Sequence, residues 1–215
     1  MNKEMWIKIL KLIMKILDFI IDLSDDEETG QGTAEEEDST IQKCLFPMEY
    51  LRITADENYK THKGSYAVDL GGKDTGKDMA FAPCDLEVIR VRPNANGEVY
   101  FQSIEPVKFA DGTIDYFRML LLHDSTAEHR MSTGDTVVQG DWIYTEGGMG
   151  GGDPECFGNH IHIEVGKGKW ENPKHLQLSN GNFSIEKPSK IEDIFFVPKS
   201  TIVMENSIEK VWKFL

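Results

Sequence analysis

The sequence predicts an all-β domain, a largely antiparallel sandwich or partly open barrel. An N-terminal amphipathic helix on an acidic linker precedes it. Three observations predict this. From residue 41 to about 168 short apolar/polar alternations recur between turn signals. No segment of useful length in that region has helical periodicity. Before it, a strongly apolar stretch and an acidic run differ sharply in composition from everything that follows.

The elements follow in order. Residues 1–23 read as a helix. At 100° per residue, Glu4, Lys8, Lys11, Lys15, Asp18 and Asp22 fall in a sector about 80° wide, and apolar residues fill most of the rest. Three lysines and Asp18 make a transmembrane span costly. Charge inside the apolar region and the lack of a small-residue cleavage site argue against a signal peptide. The reading preferred is a helix that lies on a membrane surface or self-associates; a helix packed on the domain or on a partner is the other. Residues 24–40 (SDDEETGQGTAEEEDST) are acidic and lack large apolar side chains, which makes them a solvated linker. Candidate strands are 51–54, 66–70, 85–91, 99–103, 114–122, 136–138, 142–145 and 160–165. Asn94-Ala95-Asn96-Gly97 and Asp111-Gly112 mark turns between them. The domain is placed at 41–180 and a C-terminal extension at 181–215. In the extension, 194–197 and 201–203 read as strands around Pro198, and 207–215 as a short helix capped by Ser207. No chemistry is evident in the extension.

Composition excludes several classes. A net charge of −14 argues against a nucleic-acid binder, which needs a basic face, although much of that charge sits in residues 24–40 and says little about the domain. Cys44, Cys84 and Cys156 are too few and too scattered for a disulfide scaffold, and no Cys-x-x-Cys pair provides a thiolate zinc site. One disulfide beside one free thiol remains open.

The chemistry centres on Asn159-His160-Ile161-His162-Ile163-Glu164-Val165. On a strand, side chains two apart share a face. His160, His162 and Glu164 therefore point one way, and Ile161, Ile163 and Val165 point into a core. Paired imidazoles suit metal binding or proton transfer. His62 with Asp69, and His123 at the end of an apolar run, supply further groups. A zinc hydrolase needs three protein ligands and an open position for water. Glu164 is read either as a partner behind the histidines or as a rim carboxylate. His129 and His175 have no companions in the sequence and are read as surface residues, Cys156 as a loop thiol. Tyr59 and Tyr66 are candidates for holding substrate.

His62…Asp69, Leu121-Leu122-His123-Asp124-Ser125 and His160-Ile161-His162 together resemble the lysostaphin-like zinc metallo-endopeptidases, which cleave peptide cross-links of bacterial cell wall. Phe81-Ala82-Pro83, the stretch Thr133-Gly134-Asp135-Thr136-Val137-Val138-Gln139-Gly140-Asp141-Trp142-Ile143 and the glycine-rich loop 146–152 resemble that family's framework. The resemblance covers about residues 50–168. It implies an antiparallel β structure with a groove floored by the central sheet. It also implies Zn2+ held by His62, Asp69 and His162, with His123 and His160 as the histidines that activate water and stabilise the oxyanion. The implied substrate is peptidoglycan peptide. Many members place the first histidine and the aspartate four apart, whereas here Asp69 follows His62 by seven. The longer spacing resembles a phage- or prophage-associated branch with a His-Lys-Gly-x-x-Ala-x-Asp stretch. Residues 64 and 65 must then loop out to leave Asp69 on the strand face. The expected location is the bacterial cell wall, extracellular or membrane-associated, reached by signal-independent release. The alternative is a non-catalytic module of the same fold that binds wall or regulates another hydrolase. A further rival is a sugar-binding or carrier domain with an incidental His-x-His.

Overall fold

The structure, a computed structural model, describes residues 40–92, 96–126, 131–204 and 210–215. The expected N-terminal helix, nearly all of the acidic linker, His129 and the first half of the Asn94–Gly97 turn lie outside the described residues.

The domain is nearly all β. Seven strands form one sheet, in the order Thr136–Val137, Leu86–Arg92, Glu98–Ser103, Phe117–Leu122, Ile161–Lys167, Val68–Leu70 and Ile53–Ala55, all neighbours antiparallel. The sheet does not close into a barrel. A two-stranded ribbon, Met79–Phe81 with Trp142–Thr145, adds to it. Its residues Ala80, Ile143 and Tyr144 join the main core.

Strand composition follows position in the sheet. Glu98–Ser103 and Phe117–Leu122 lie in the middle and are covered on both faces. Phe117-Arg118-Met119-Leu120-Leu121-Leu122 is accordingly an almost continuous apolar run, buried throughout. One face of the sheet carries Val68, Leu70, Val88, Val99, Phe101, Met119, Leu121, Ile161, Ile163 and Val165 into the main core. The opposite face carries Tyr100, Leu120, Leu122 and Ile185, a smaller apolar cluster, and beside it the polar side chains of the His-x-His strand. The period-2 expectation for residues 160–165 thus matches the strand Ile161–Lys167, with Ile161, Ile163 and Val165 fully buried.

Several expectations are corrected. The 114–122 strand is two strands, Ile114–Asp115 and Phe117–Leu122, divided where Tyr116 leaves the ladder. Met79–Phe81 and Val107–Lys108 are strands that alternation over so few residues does not reveal. Ile194 closes a four-residue helix, Ile191–Ile194, and the strand is Phe196–Val197 only. Among the described residues of the last segment there is no helix. Lys213–Phe214 pairs in parallel with Phe196–Val197, and Ile202–Val203 pairs with Tyr50–Leu51. The extension therefore stitches small ribbons onto the domain rather than widening the main sheet. A hairpin, Leu176–Gln177 with Phe183–Ser184, follows the His-x-His strand. Cys44, Cys84 and Cys156 are free thiols; the first two are buried and the third exposed.

Glu146 is a buried carboxyl whose Oε2 accepts the Asp78 N–H at 2.9 Å while Oε1 has no partner among the described residues. Burial, against the Asp78 N–H bond that favours the carboxylate, pushes its pKa from 4.5 up to about 7. A raised carboxyl pKa means that the fold prefers the protonated form. Stability is fully present below the unfolded pKa and falls as the pH rises from about 4.5 to 7. Glu146→Gln removes the ionisation. It is expected to match wild type in denaturant unfolding at pH 4 and to exceed it above pH 7, by on the order of 2–3 kcal/mol. Parallel pH profiles for the two proteins would contradict this.

Candidate metal centre

The site is built where three adjacent strands present polar residues on one face. His162 lies directly across from Asp69 in the ladder between Ile161–Lys167 and Val68–Leu70. Residues opposite one another on antiparallel strands have Cβ atoms about 5 Å apart. The register alone therefore brings carboxylate and imidazole together, with His162 Nδ1 3.2 Å from Asp69 Oδ1. On its other side His162 is paired with Leu122; His123 lies just past that strand's end, where its φ of +92° departs from strand alternation, and its ring centroid is 5.9 Å from that of His162.

His62 arrives from a run of turns. Tyr59 N–H, His62 N–H and Ser65 N–H donate to the carbonyls three residues before them, each at 2.9 Å. Gly64 at φ +90° and Tyr66 at φ +55° then reverse the chain. Glycine adopts the first freely; tyrosine in the left-handed region is uncommon. The extra residues between His62 and Asp69 are taken up here, with Ala67 and Val68 buried and Asp69 on the site face. His62 is buried, its Nε2 3.3 Å from Asp69 Oδ1. His160 reaches the same oxygen at 3.8 Å through Nε2. The glycine-rich loop holds it there: Gly147 and His160 exchange N–H to carbonyl bonds of 3.1 Å in both directions. The His123 ring centroid lies 4.4 Å from that of His160.

Each of these four histidines has one ring nitrogen assigned to an oxygen acceptor outside the cluster. His62 Nδ1 faces the Asp56 carbonyl at 3.2 Å, His123 Nδ1 the Met149 carbonyl at 2.6 Å, and His160 Nδ1 the Gly158 carbonyl at 2.7 Å. His162 Nε2 faces Glu164 Oε1 at 3.0 Å. A carbonyl or carboxylate can only accept, so the facing nitrogen carries the proton. In the neutral ring the other nitrogen carries the lone pair, directed at the shared space for His62, His160 and His162.

Lone pairs and a carboxylate at this spacing repel one another unless a positive charge lies among them. A proton meets the need in part. Burial alone would lower the His162 pKa, but the bonds to Asp69 and Glu164 outweigh it and raise it to about 9. Burial would raise the Asp69 carboxyl, yet His162 and His62 hold it well below the usual carboxylate range. A divalent cation meets the need more fully. Bonds of about 2.0–2.1 Å in tetrahedral zinc imply ligand atoms about 3.3 Å apart. The 3.3 and 3.2 Å separations from Asp69 Oδ1 match that edge length. The residues present therefore fit zinc. His123 is different: burial first, then the neighbouring His160 and His162, lower its pKa to about 3, so its ring is neutral at physiological pH.

The backbone at His123 has φ +92°, a conformation a residue with a side chain rarely adopts. It is held by bonds from His123 N–H to the Asn96 carbonyl at 2.7 Å and from Met149 N–H to the His123 carbonyl at 3.0 Å. Gly147 makes the close approach possible, because a Cβ there would meet the His123 carbonyl oxygen at 2.2 Å.

A cleft of about 730 Å³ opens beside the cluster and includes Asp69 and His160, with Arg52, Tyr59, Phe157 and Asn159 along its walls. Of the two tyrosines singled out in the sequence, Tyr59 lines the cleft; the Tyr66 ring lies under the Lys190 ammonium at 6.0 Å.

Two sequence readings change here. Glu164 is not a rim carboxylate: it is fully buried behind His162. His175 is not an isolated surface residue, since its Nε2 is 2.6 Å from Glu164 Oε1. Ile185 N–H donates to Glu164 Oε2 at 2.7 Å, so the segment first read as lacking chemistry touches the site's support. Burial would raise the Glu164 pKa, but His162 and His175 bring it down to about 2. The lone signal in the sequence was Glu164 sharing the histidine face; nothing pointed to His175.

No protein-family model matches the chain, and no curated protein matches it. Among solved structures it is similar to Helicobacter pylori Csd3, at 18% identity and TM-score 0.39, over 70% of this chain and 37% of that one. It is similar to a Pseudomonas aeruginosa protein described as an M23 peptidase, at 15% identity and TM-score 0.36, over 81% of this chain and 59% of that one. It is also similar to a chain of the SpoIIQ–SpoIIIAH pore forming complex, at 18% identity and TM-score 0.39, over 71% and 96%. The chain thus spans less than two thirds of the length of the first two.

Proposed function

We propose that the protein is a zinc-dependent endopeptidase that hydrolyses peptide cross-links of bacterial peptidoglycan. One observation carries the reading: His62, Asp69 and His162 converge at zinc-ligand spacing while His123 and His160, anchored through Nδ1, stand beside them. The motif resemblance to cell-wall endopeptidases gives the substrate class.

His62, Asp69 and His162 would hold the ion. When bound, zinc supplies Lewis acidity that polarises the scissile carbonyl and lowers the pKa of water. The remaining steps belong to the chain. His160 Nε2 is unprotonated and accepts the proton released from the attacking water. His160 then returns that proton to the leaving amine as the tetrahedral intermediate collapses, and the neutral His123 ring, packed against the His160 ring with centroids 4.4 Å apart, fixes its orientation. Tyr59, Phe157 and Asn159 line the cleft in which the peptide is oriented. The Asn159 side-chain amide is fixed by donating to the Thr75 carbonyl at 3.0 Å.

Residues 1–23 would hold the enzyme at a membrane surface or pair it with a second copy, and the acidic linker would give the domain reach. That layout suits a phage- or prophage-encoded wall hydrolase that works close to a membrane.

The test is release of new amino groups from purified peptidoglycan of several wall types. Release that chelator abolishes and zinc restores is the expected result. Zinc uptake without release from any wall type would replace this reading by the non-catalytic module.

A further inference from the structure

The hairpin that follows the His-x-His strand bonds to the surroundings of two proposed zinc ligands at once. At its foot, His175 Nε2 and the Ile185 N–H hold the two oxygens of Glu164, at 2.6 and 2.7 Å. Glu164 Oε1 in turn accepts from His162 Nε2. At its tip, Asn182 Nδ2 donates to the carbonyls of Lys60 at 3.0 Å and Lys63 at 3.2 Å, and Asn180 Nδ2 donates to Lys63 at 2.9 Å. Those two carbonyls flank His62. Along the arm, Ser184 Oγ donates to the Ser65 carbonyl at 3.4 Å.

We infer that this hairpin, Leu176–Gln177 and Phe183–Ser184 with His175 and Asn182, is a clamp that positions His162 and His62 for metal binding. The inference rests on the metal-site reading above and goes beyond it. His162, Glu164 and His175 also bring three ligand-type atoms together, so a second metal centre is the competing account. Distance decides against it. The 2.6 Å between His175 Nε2 and Glu164 Oε1 is well short of the edge of about 3.3 Å expected between two ligands of one zinc ion, and is a hydrogen bond. Glu164 is fully buried, and a buried carboxylate is held in one orientation only by its donors. His162, His175 and Ile185 provide them. A fixed Glu164 fixes the ring of His162 and commits its proton to Nε2, leaving Nδ1 for the metal. The His175 ring is itself packed against Phe183, centroids 5.4 Å apart. The His62 turn belongs to no strand, and the asparagine side chains supply the tie to the rest of the domain that a ladder would otherwise give.

His175 and Asn182 are therefore positioning residues, and two readouts on the full chain test them. The first is zinc affinity by chelator competition, with the visible spectrum of the cobalt-substituted protein. His175→Phe is expected to weaken zinc binding about 10–100-fold and to change the cobalt spectrum, and His175→Gln, which keeps a donor, to recover most of the affinity. Asn182→Ala is expected to weaken binding about ten-fold and carries the same test if His175→Phe fails to fold. The second readout needs no metal: solvent exchange of the His162 Nε2 proton, followed by NMR. It is expected to be about ten-fold faster in His175→Phe than in wild type. Wild-type zinc affinity and exchange in both variants would overturn the clamp while leaving the endopeptidase reading intact. A wild type that takes up no zinc but shows faster exchange in His175→Phe would overturn the endopeptidase reading and leave the clamp standing.

Discussion

His162→Ala is expected to abolish hydrolysis of peptidoglycan, with a fall in kcat/KM of at least about 10³-fold, and to weaken zinc binding by more than about 100-fold. Of the four histidines His62, His123, His160 and His162, only His162 faces a carboxylate with each of its two nitrogens. Nδ1 faces Asp69 and the metal position; Nε2 satisfies the buried Glu164. Alanine removes one of three ligands and leaves Glu164 Oε1 with His175 alone. The unfilled hydrogen-bonding capacity of a buried carboxylate costs about 1–3 kcal/mol, so the variant should also unfold at lower denaturant. Asp69→Asn separates the two effects. It keeps the volume of the side chain and leaves Glu164 untouched, yet removes the charge that balances the cation. Zinc uptake should fall as it does for His162→Ala, without the unfilled hydrogen bond at Glu164. Metal content after dialysis and unfolding midpoints measure both. Full zinc occupancy in either variant would remove these residues from the ligand set.

The second large effect is expected at His160. His160→Ala should lower kcat by about 10²–10⁴-fold while zinc affinity stays within a few-fold of wild type. The geometry separates it from the ligands: its Nε2 is 3.8 Å from Asp69 Oδ1, against 3.2 and 3.3 Å for His162 and His62. His123→Ala should show the same signature. The double variant should lose little more than the worse single one, because a ring and the neighbour that orients it act as a unit. Measuring kcat and zinc affinity together decides the matter. A collapse of zinc binding in His160→Ala would make His160 a ligand, and multiplicative losses in the double variant would mean that the two histidines work independently.

Much of the site was legible because it depends on short-range patterns. The alternation through His160–Val165 places two imidazoles on one face whatever the rest of the chain does, and the apolar run ending at Leu122 puts His123 at a strand end. The seven-residue spacing from His62 to Asp69 was the uncertain point, and Gly64 with Tyr66 takes up the added length in turns. Short strands such as Met79–Phe81 were missed because three residues carry too little periodicity to be distinguished from a turn. The end of the chain was misread for a related reason. Residues 213–214 are held by pairing with Phe196–Val197, a partner that local propensity does not contain.

The sequence by itself determined the β class, the face on which His160, His162 and Glu164 stand, and the set of side chains able to bind a metal. These follow from periodicity and residue chemistry, both of which are local. Tertiary structure alone decided the rest. It set the register that puts Asp69 opposite His162, the carbonyl that each imidazole faces and hence which nitrogen is free, and the burial of Glu164 against His175 and Ile185. Those features depend on contacts between residues far apart in the chain, and hydrogen bonds of that kind are specified by the packed geometry of the whole sheet rather than by any stretch of it.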